Sequence, residues 1–116
     1  MAMQILERRL KALADKTRLK LLALLSLRPC CVCELAEVIG FSQPTISRHL
    51  KLLADAGLVS YEKRGSFQIY RLAPEDADAE ALLSVTLSLL ERDPAFLFLK
   101  QALSRADKRH LWEKVR

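Results

Sequence analysis

The chain is poor in the residues from which most catalytic sites are built, with two histidines and three cysteines among 116 residues. His49 and His110 are far apart in the sequence, and no nucleophile is spaced to pair with a base, so we expect neither an enzyme nor a catalytic cofactor. The most apolar run, LLALLSL at 21–27, is far shorter than the roughly 20 residues that span a bilayer, so we expect no membrane partner. Repeats, low-complexity tracts and linkers are also missing, and the length predicts a single domain, 1–116.

Acidic residues are outnumbered, with 14 Asp and Glu against 19 Lys and Arg, and the net charge is +5. A basic balance favours an acidic partner such as nucleic acid. The excess is concentrated between 42 and 71, a stretch with five basic and two acidic residues. Charged residues at 7–9 precede any apolar segment near the N-terminus, so we expect no secretory signal and a cytoplasmic protein.

The order of predicted elements indicates an α+β fold that is mainly helical, α-α-α-α-β-β-α-α. Caps, glycines and apolar periodicity place a helix-turn-helix at about 33–55, with Ser42 capping its second helix. Two alternating segments on either side of a turn at 63–66 predict a β-wing at 58–72. Helix, glycine-containing turn, helix and basic hairpin is the order of a winged helix-turn-helix.

The helices at 1–13 and 78–112 are predicted to form a homodimer. After the wing, one apolar stripe consists of Leu83, Leu87 and Leu90, and a second stripe of Leu82, Val85 and Leu89 lies more than 90° away. Two apolar faces suit packing on the protein's own core and on a second subunit, and a twofold dimer matches a palindromic operator. The alternative is a helix covered within one domain by AFLFL at 95–99, and residues 93–116 match no motif.

The second helix of the helix-turn-helix separates a core face from a polar face. Ile46, Leu50 and Leu53 fall within one arc, whereas hydroxyl, amide and basic side chains occupy the rest. Such groups reach base edges and phosphates, so we expect this helix and the hairpin tip to contact double-stranded operator DNA. An ordinary solvated face and a polar turn are the alternatives, and His49 is expected first as a packed flank. The candidate DNA contacts are Gln43, Thr45, Ser47, Arg48, His49, Lys51, Lys63, Arg64 and Gly65.

These segments resemble a known family. FSQPTISRHLKLLADAGLV, KRGSFQIYRL and the preceding LKALADKTRLKLLALL are similar to the DNA-binding core of the ArsR/SmtB metal- and metalloid-responsive repressors, although Lys16 stands where proline is common. The likeness runs from about Leu10 to Leu72. It implies a homodimeric winged-helix repressor that leaves its operator when an inducer binds.

All three thiols lie within four positions, at Cys30, Cys31 and Cys33. The segment Cys31-Val32-Cys33-Glu34-Leu35 resembles the Cys-Val-Cys-Asp-Leu element of the arsenic-responsive branch, but the family's third cysteine is replaced by Ala36. The resemblance implies arsenic(III) or antimony(III) as inducer, and soft thiolates suit such centres. We therefore expect all three cysteines to be ligands, and the helix N-terminus and Arg28 to favour thiolates.

Regular helical geometry would place Cys30 and Cys33 on one face and point Cys31 and Cys33 apart. One ion would then have to deform the first turn, and this would move the recognition helix. Alternatives remain open. Cys30 also suits a small buried apolar position, and paired thiols also suit a redox or persulfide sensor. Zinc would need a fourth ligand that neither histidine obviously provides, and a winged-helix module that binds protein rather than DNA is a further alternative.

Overall fold

The computed structural model describes residues 1–115 and has seven helices and three strands within that range. It confirms a mainly helical α+β fold with a helix-turn-helix followed by a two-stranded wing. In chain order the elements are α1 (Met3–Leu13), α2 (Lys16–Leu27), β1 (Cys30–Cys31), α3 (Val32–Ile39), α4 (Gln43–Asp55), β2 (Val59–Arg64), β3 (Phe67–Leu72), α5 (Ala77–Leu90), α6 (Ala95–Arg105) and α7 (Arg109–Trp112).

Most helix ends lie where their capping residues predict. Asp15 accepts the backbone N–H of Arg18 at 3.0 Å, and Ser42 accepts that of Thr45 at 3.3 Å. Gly40 closes α3 in the left-handed region, with φ of 86°. The pair Asp93-Pro94 before α6 predicts aspartate as the cap and proline as the first helical residue. This prediction is wrong by one residue: the cap position is Pro94, although the Asp93 carboxylate still accepts the N–H of Ala95.

The main departure from the predicted order is the short strand β1 between α2 and α3. Arg28 is extended before Pro29, as expected for a residue that precedes proline, and the chain then continues extended. Cys30 pairs with Tyr70 and Cys31 with Ile69, so the antiparallel sheet has the order β1-β3-β2. The first two cysteines therefore belong to the sheet and not to a helical turn.

The core is centred on α2, whose residues 21–25 are all buried. As predicted, the inner face of α4 packs into this core, with Ile46, Leu50 and Leu53 fully buried. Burial of this face orients the polar face of α4 outward. No helix within residues 1–115 combines the length and the hydrophobicity that a membrane span requires.

Several apolar side chains remain on the surface at the two ends of the chain. On α5 the two predicted stripes separate: Leu83 is buried, whereas Val85 and Leu89 are exposed. On α1, Leu6, Leu10 and Leu13 form one apolar stripe at helical spacing, but Leu10 is 48% exposed. The other exposed apolar side chains of these regions are Met1, Met3, Ile5, Leu97, Phe98 and Leu111.

A buried arginine anchors α1, and no sequence pattern predicts it. The Arg9 side chain is 1% exposed; its Nε donates to the Ala56 carbonyl at 3.0 Å, and its guanidinium pairs with Asp76 at 2.9 Å and Glu75 at 3.3 Å. Arg9 therefore ties α1 to the end of α4 and the start of α5. Its hydrogen bonds hold the pKa of Asp76 below the ordinary value.

Replacing Arg9 with methionine keeps apolar bulk but leaves the buried Ala56 carbonyl without its partner. We expect the free energy of unfolding to fall by about 2 kcal/mol, the scale of a lost hydrogen bond to a charged group. Urea denaturation monitored by circular dichroism measures this loss. Arg8→Met, at an exposed neighbouring position, is the matched control, and equal stability of the two variants would contradict the anchoring role.

Candidate DNA-reading surface and thiol site

The outer face of α4 is available for a partner. Gln43, Arg48 and Lys51 are exposed, and Thr45 and Ser47 are partly exposed. Arg48 donates to the Thr45 hydroxyl at 3.2 Å, so its guanidinium lies over the first turn. His49 is partly buried beside Arg18, with 3.1 Å between its Nδ1 and the guanidinium. This is the packed flank that we expected first.

The wing extends beside this helix and turns at Gly65, whose φ of 61° is in the left-handed region. Lys63 and Gly65 are exposed at the tip. Arg64 is instead folded back: it donates to Glu62 at 3.2 Å and to the Glu113 carbonyl at 3.2 Å. Arg64, one of the three wing residues predicted to contact DNA, is therefore bound to other residues of the protein.

The geometry expected for Cys31 and Cys33 is wrong, because Cys31 precedes the helix. It is the N-cap of α3, with extended φ and ψ of −74° and 157°, so its side chain turns back over the first turn. The Cα atoms of Cys31 and Cys33 are 5.2 Å apart, and the two sulfurs are joined as a disulfide. These two sulfurs therefore lie together without any unwinding of the helix.

Cys30 lies on the other side of the strand, because successive side chains of a strand point to opposite faces. It packs in the main core with the α2 leucines, whereas Cys31 belongs to a separate cluster with Ile69 and Trp112. The expectation that Cys30 and Cys33 share a helix face is therefore wrong. Burial raises the pKa of the Cys30 thiol to about 12, despite the opposing effect of nearby Arg28. Cys30 as a third ligand stays a prediction that this geometry does not favour.

The thiol pair opens into a cleft of about 410 Å³ between α4 and the wing. One wall is the first part of α4 and the other is the wing, so a group bound to these sulfurs would lie against both. The lining residues are Cys31, Val32, Cys33, Gln43, Ser47, Lys63, Ser66, Phe67 and Gln68.

A buried carboxylate, Glu34, organises the base of this site. Its Oε1 accepts the Cys31 N–H at 2.8 Å, while the Cys31 sulfur accepts the Glu34 N–H at 3.1 Å, a reciprocal capping box. Its Oε2 accepts from Arg28 at 2.8 Å and from the Lys108 N–H at 2.7 Å, and Oε1 also accepts from the Trp112 indole at 3.0 Å. Burial would raise the pKa of Glu34, but these donors outweigh burial and lower it.

Sequence reasoning missed Glu34 and Trp112 as parts of the site. One signal was present, because a glutamate three residues after a helix cap is the pattern of a capping box, here with cysteine in the place of serine or threonine. Trp112 had no such signal, since 78 residues separate it from Glu34. Within residues 1–115, no three His, Cys, Asp or Glu side chains gather as a cation site.

Comparison with known proteins identifies the family and the fold class of this chain. Residues 15–61 match the family model described as bacterial regulatory protein, arsR family. The arsenical resistance operon repressor of Bacillus subtilis is 39% identical over 87 residues, which are 74% of this chain and 81% of that repressor. The chain belongs to the ArsR family, as its sequence predicted, and is a regulator of the winged helix-turn-helix class, not an enzyme.

A second curated repressor and two solved structures are also similar to this chain. The Staphylococcus xylosus arsenical resistance operon repressor is 46% identical over 69 residues, 60% of this chain and 66% of the repressor. The match thus spans slightly less than two thirds of that relative. A homodimeric winged helix-turn-helix DNA-binding domain from Mycobacterium bovis superposes with a TM-score of 0.65, 30% identity and coverage of 76% and 80%. The antimony-specific transcriptional repressor AntR superposes with a TM-score of 0.59 and is 31% identical in sequence. The match covers 76% of this chain and 78% of AntR.

The three cysteines should differ sharply in reactivity toward iodoacetamide in the reduced protein. Cys33, partly exposed in the cleft, should react first, and Cys30 should resist, because it is buried and at pH 8 a thiol with a pKa of about 12 is only about one ten-thousandth thiolate. Peptide mass spectrometry over a time course measures the order. Reaction of Cys30 at its rate in guanidinium-unfolded protein would contradict its burial.

Proposed function

We propose that this protein is a cytoplasmic, homodimeric transcriptional repressor that is released from its operator by arsenic(III) or antimony(III) at Cys31 and Cys33. The observation that carries the proposal is the position of the two sulfurs, side by side in a cleft walled by α4 and the wing. The names of the arsenical and antimony repressors that the chain resembles support the inducer class.

The donor set suits a thiophilic centre. Soft trivalent arsenic and antimony favour thiolate sulfur, and each thiol loses its proton as its sulfur binds. Cys31 has the backbone N–H of Glu34 directed at its sulfur from the helix N-terminus, which favours negative charge there. Two sulfurs leave a third position of the centre facing the cleft, unless Cys30 turns out of the core to fill it.

Release follows from the shared cleft. An ion bound to the two sulfurs removes the Cys31 sulfur from its role as the cap of α3. Because α3 packs directly against α4, the proposed recognition helix, the base of α4 then shifts. The bound group also lies against Gln43 and Ser47 on α4 and Lys63 on the wing, which are candidate DNA contacts. Inducer and operator therefore favour different arrangements, and this difference in affinity is what couples them.

DNA binding uses the outer face of α4 and the wing tip, in two copies related by a twofold axis. Exposed Val85 and Leu89 on α5 and Leu10 on α1 provide apolar surface for the second subunit. The proposed DNA contacts include the seven residues Gln43, Thr45, Ser47, Arg48, Lys51, Lys63 and Gly65. The two other residues expected from the sequence, His49 and Arg64, would first have to leave the contacts that hold them within the protein.

A thiol-based redox sensor on the same scaffold is the second candidate, favoured by the disulfide between Cys31 and Cys33. Hydrogen peroxide would oxidise the two thiols to this disulfide, with its own reduction to two water molecules. The two inducers require different states of the cysteines. Arsenite binds only when both sulfurs are reduced, whereas peroxide converts the two thiols to a disulfide.

Lys51→Gln should weaken binding to a duplex selected from a random-sequence library and reduce its salt dependence. If Lys51 contacts a phosphate, the negative slope of log affinity against log salt concentration becomes less steep by about 0.9 in the variant. Fluorescence anisotropy from low to high salt measures it. Lys100→Gln, an equal loss of charge on exposed α6, should leave the slope unchanged. A module that binds protein rather than DNA would show little salt dependence with either variant.

Cys31→Ser and Cys33→Ser should abolish the response to arsenite. In the reduced unmodified protein arsenite should weaken operator binding by about 5- to 150-fold, the usual range of an allosteric coupling, and in either variant by less than about twofold. Cys30→Ala is the matched control and should retain the response. Release of both serine variants at the arsenite concentration that releases the unmodified protein would refute the site.

The same complex titrated with hydrogen peroxide instead of arsenite separates the two candidates. If the metalloid is the inducer, arsenite releases DNA in the presence of a phosphine reductant that keeps every thiol reduced. Release by peroxide alone, with no effect of arsenite, would establish the redox sensor in its place.

A further inference from the structure

The segment after α6 packs against the thiol site without lining the cleft. We call residues 107–115, which follow buried Ala106, the C-terminal strap. Trp112 is only 5% exposed, and Cys31, Ile69 and Trp112 are the buried members of one small cluster. Cys33 and Phe67 pack at its edge. The indole is thus a neighbour of the sulfur pair, so the volume available around the pair depends on where the strap lies.

Buried polar contacts hold the strap to the start of α3. Glu34 accepts both the Lys108 backbone N–H at 2.7 Å and the Trp112 indole N–H at 3.0 Å, and Lys108 Nζ pairs with Glu37 at 2.8 Å. Because the Glu34 carboxylate also accepts the Cys31 N–H, one side chain joins the strap to the cap of α3. A displacement of Cys31 therefore moves the Glu34 carboxylate, and with it the hydrogen bonds that hold the strap.

The other end of the strap holds the wing. The Arg64 guanidinium lies 5.8 Å from the centroid of the Trp112 ring and donates to the Glu113 carbonyl at 3.2 Å. The Val115 side chain lies 3.0 Å from the position that a Cβ on Gly65 would occupy. The strap therefore packs against the turn of the hairpin and restrains the one wing arginine that is folded back from the tip.

We propose that the C-terminal strap transmits occupancy of the thiol site to the wing, with Trp112 as the positioning residue between them. An ion bridging the sulfurs of Cys31 and Cys33 enlarges their cluster, and the indole, which packs in that cluster, moves outward. Arg64 then loses its contacts with the Trp112 ring and the Glu113 carbonyl, and the orientation of the wing tip changes. This proposal rests on the proposed function, and adds a second route to the wing besides the one through α3 and α4.

Trp112 is the only tryptophan of the chain, so its emission reports the strap directly. We expect arsenite, added to the full reduced protein without DNA, to shift this emission to the red and to increase its quenching by acrylamide. Both changes should be half-complete at or below the arsenite concentration that half-releases operator DNA, because bound operator opposes arsenite binding. Operator release without any change in acrylamide access to Trp112 would overturn the strap's role and leave the inducer site intact.

Variants test the same step through DNA binding. Trp112→Ala keeps both sulfurs and should still bind arsenite by equilibrium dialysis, but arsenite should weaken its operator binding at least about fivefold less than in the unmodified protein, a large part of a typical coupling. Trp112→Phe retains an aromatic face for Arg64 and should recover part of the coupling. Leu111→Ala, at an exposed position on the same short helix, should behave as the unmodified protein.

The outcomes separate the two proposals. Full arsenite coupling in folded Trp112→Ala would overturn the strap's role alone. Failure of arsenite to release the unmodified protein would overturn the inducer site and, with it, the strap's role. If Trp112→Ala does not fold, the acrylamide measurement on the unmodified protein decides, because it needs no variant.

Discussion

The reciprocal cap between Cys31 and Glu34 is the interaction on which the rest of the site depends. A carboxylate without access to water is tolerated only when its oxygens are paired, and here backbone, guanidinium and indole donors satisfy both of them. The cap fixes where the strand β1 ends and α3 begins. Because Cys31 stands at that junction, its sulfur turns over the helix toward Cys33.

This junction also explains why the thiol pair lies beside α4 and the wing. The sheet residue before the cap, Cys30, faces the main core, whereas Cys31 faces the small cluster under the wing. The thiol pair thus lies where α3, α4 and the wing meet, so the proposed inducer site directly adjoins the proposed DNA-binding surface. Coupling through packed, directly touching elements is the simplest physical form of allostery.

Much of the fold was predictable, because local chemistry determines it. Asp15 and Ser42 as caps, Gly40 and Gly57 in the left-handed region and the alternation in the wing all specify structure within a few residues. The core face of α4 followed from helical periodicity alone. The thiol geometry was wrong for one reason: the prediction treated Cys31 as part of a regular helix, whereas its pairing with Ile69 makes it extended.

The sequence by itself determined the class of protein, because helix caps, turn glycines, apolar periods and a thiol motif are local patterns, legible without tertiary contacts. Only the tertiary structure decided which cysteines lie together, because strand pairing with β3 sets the direction in which each sulfur points. It also decided the places of Arg9, Glu34 and Trp112, whose partners are 47 to 78 residues away along the chain. Buried polar contacts of that range form when separate elements pack, and no local pattern in the sequence specifies them.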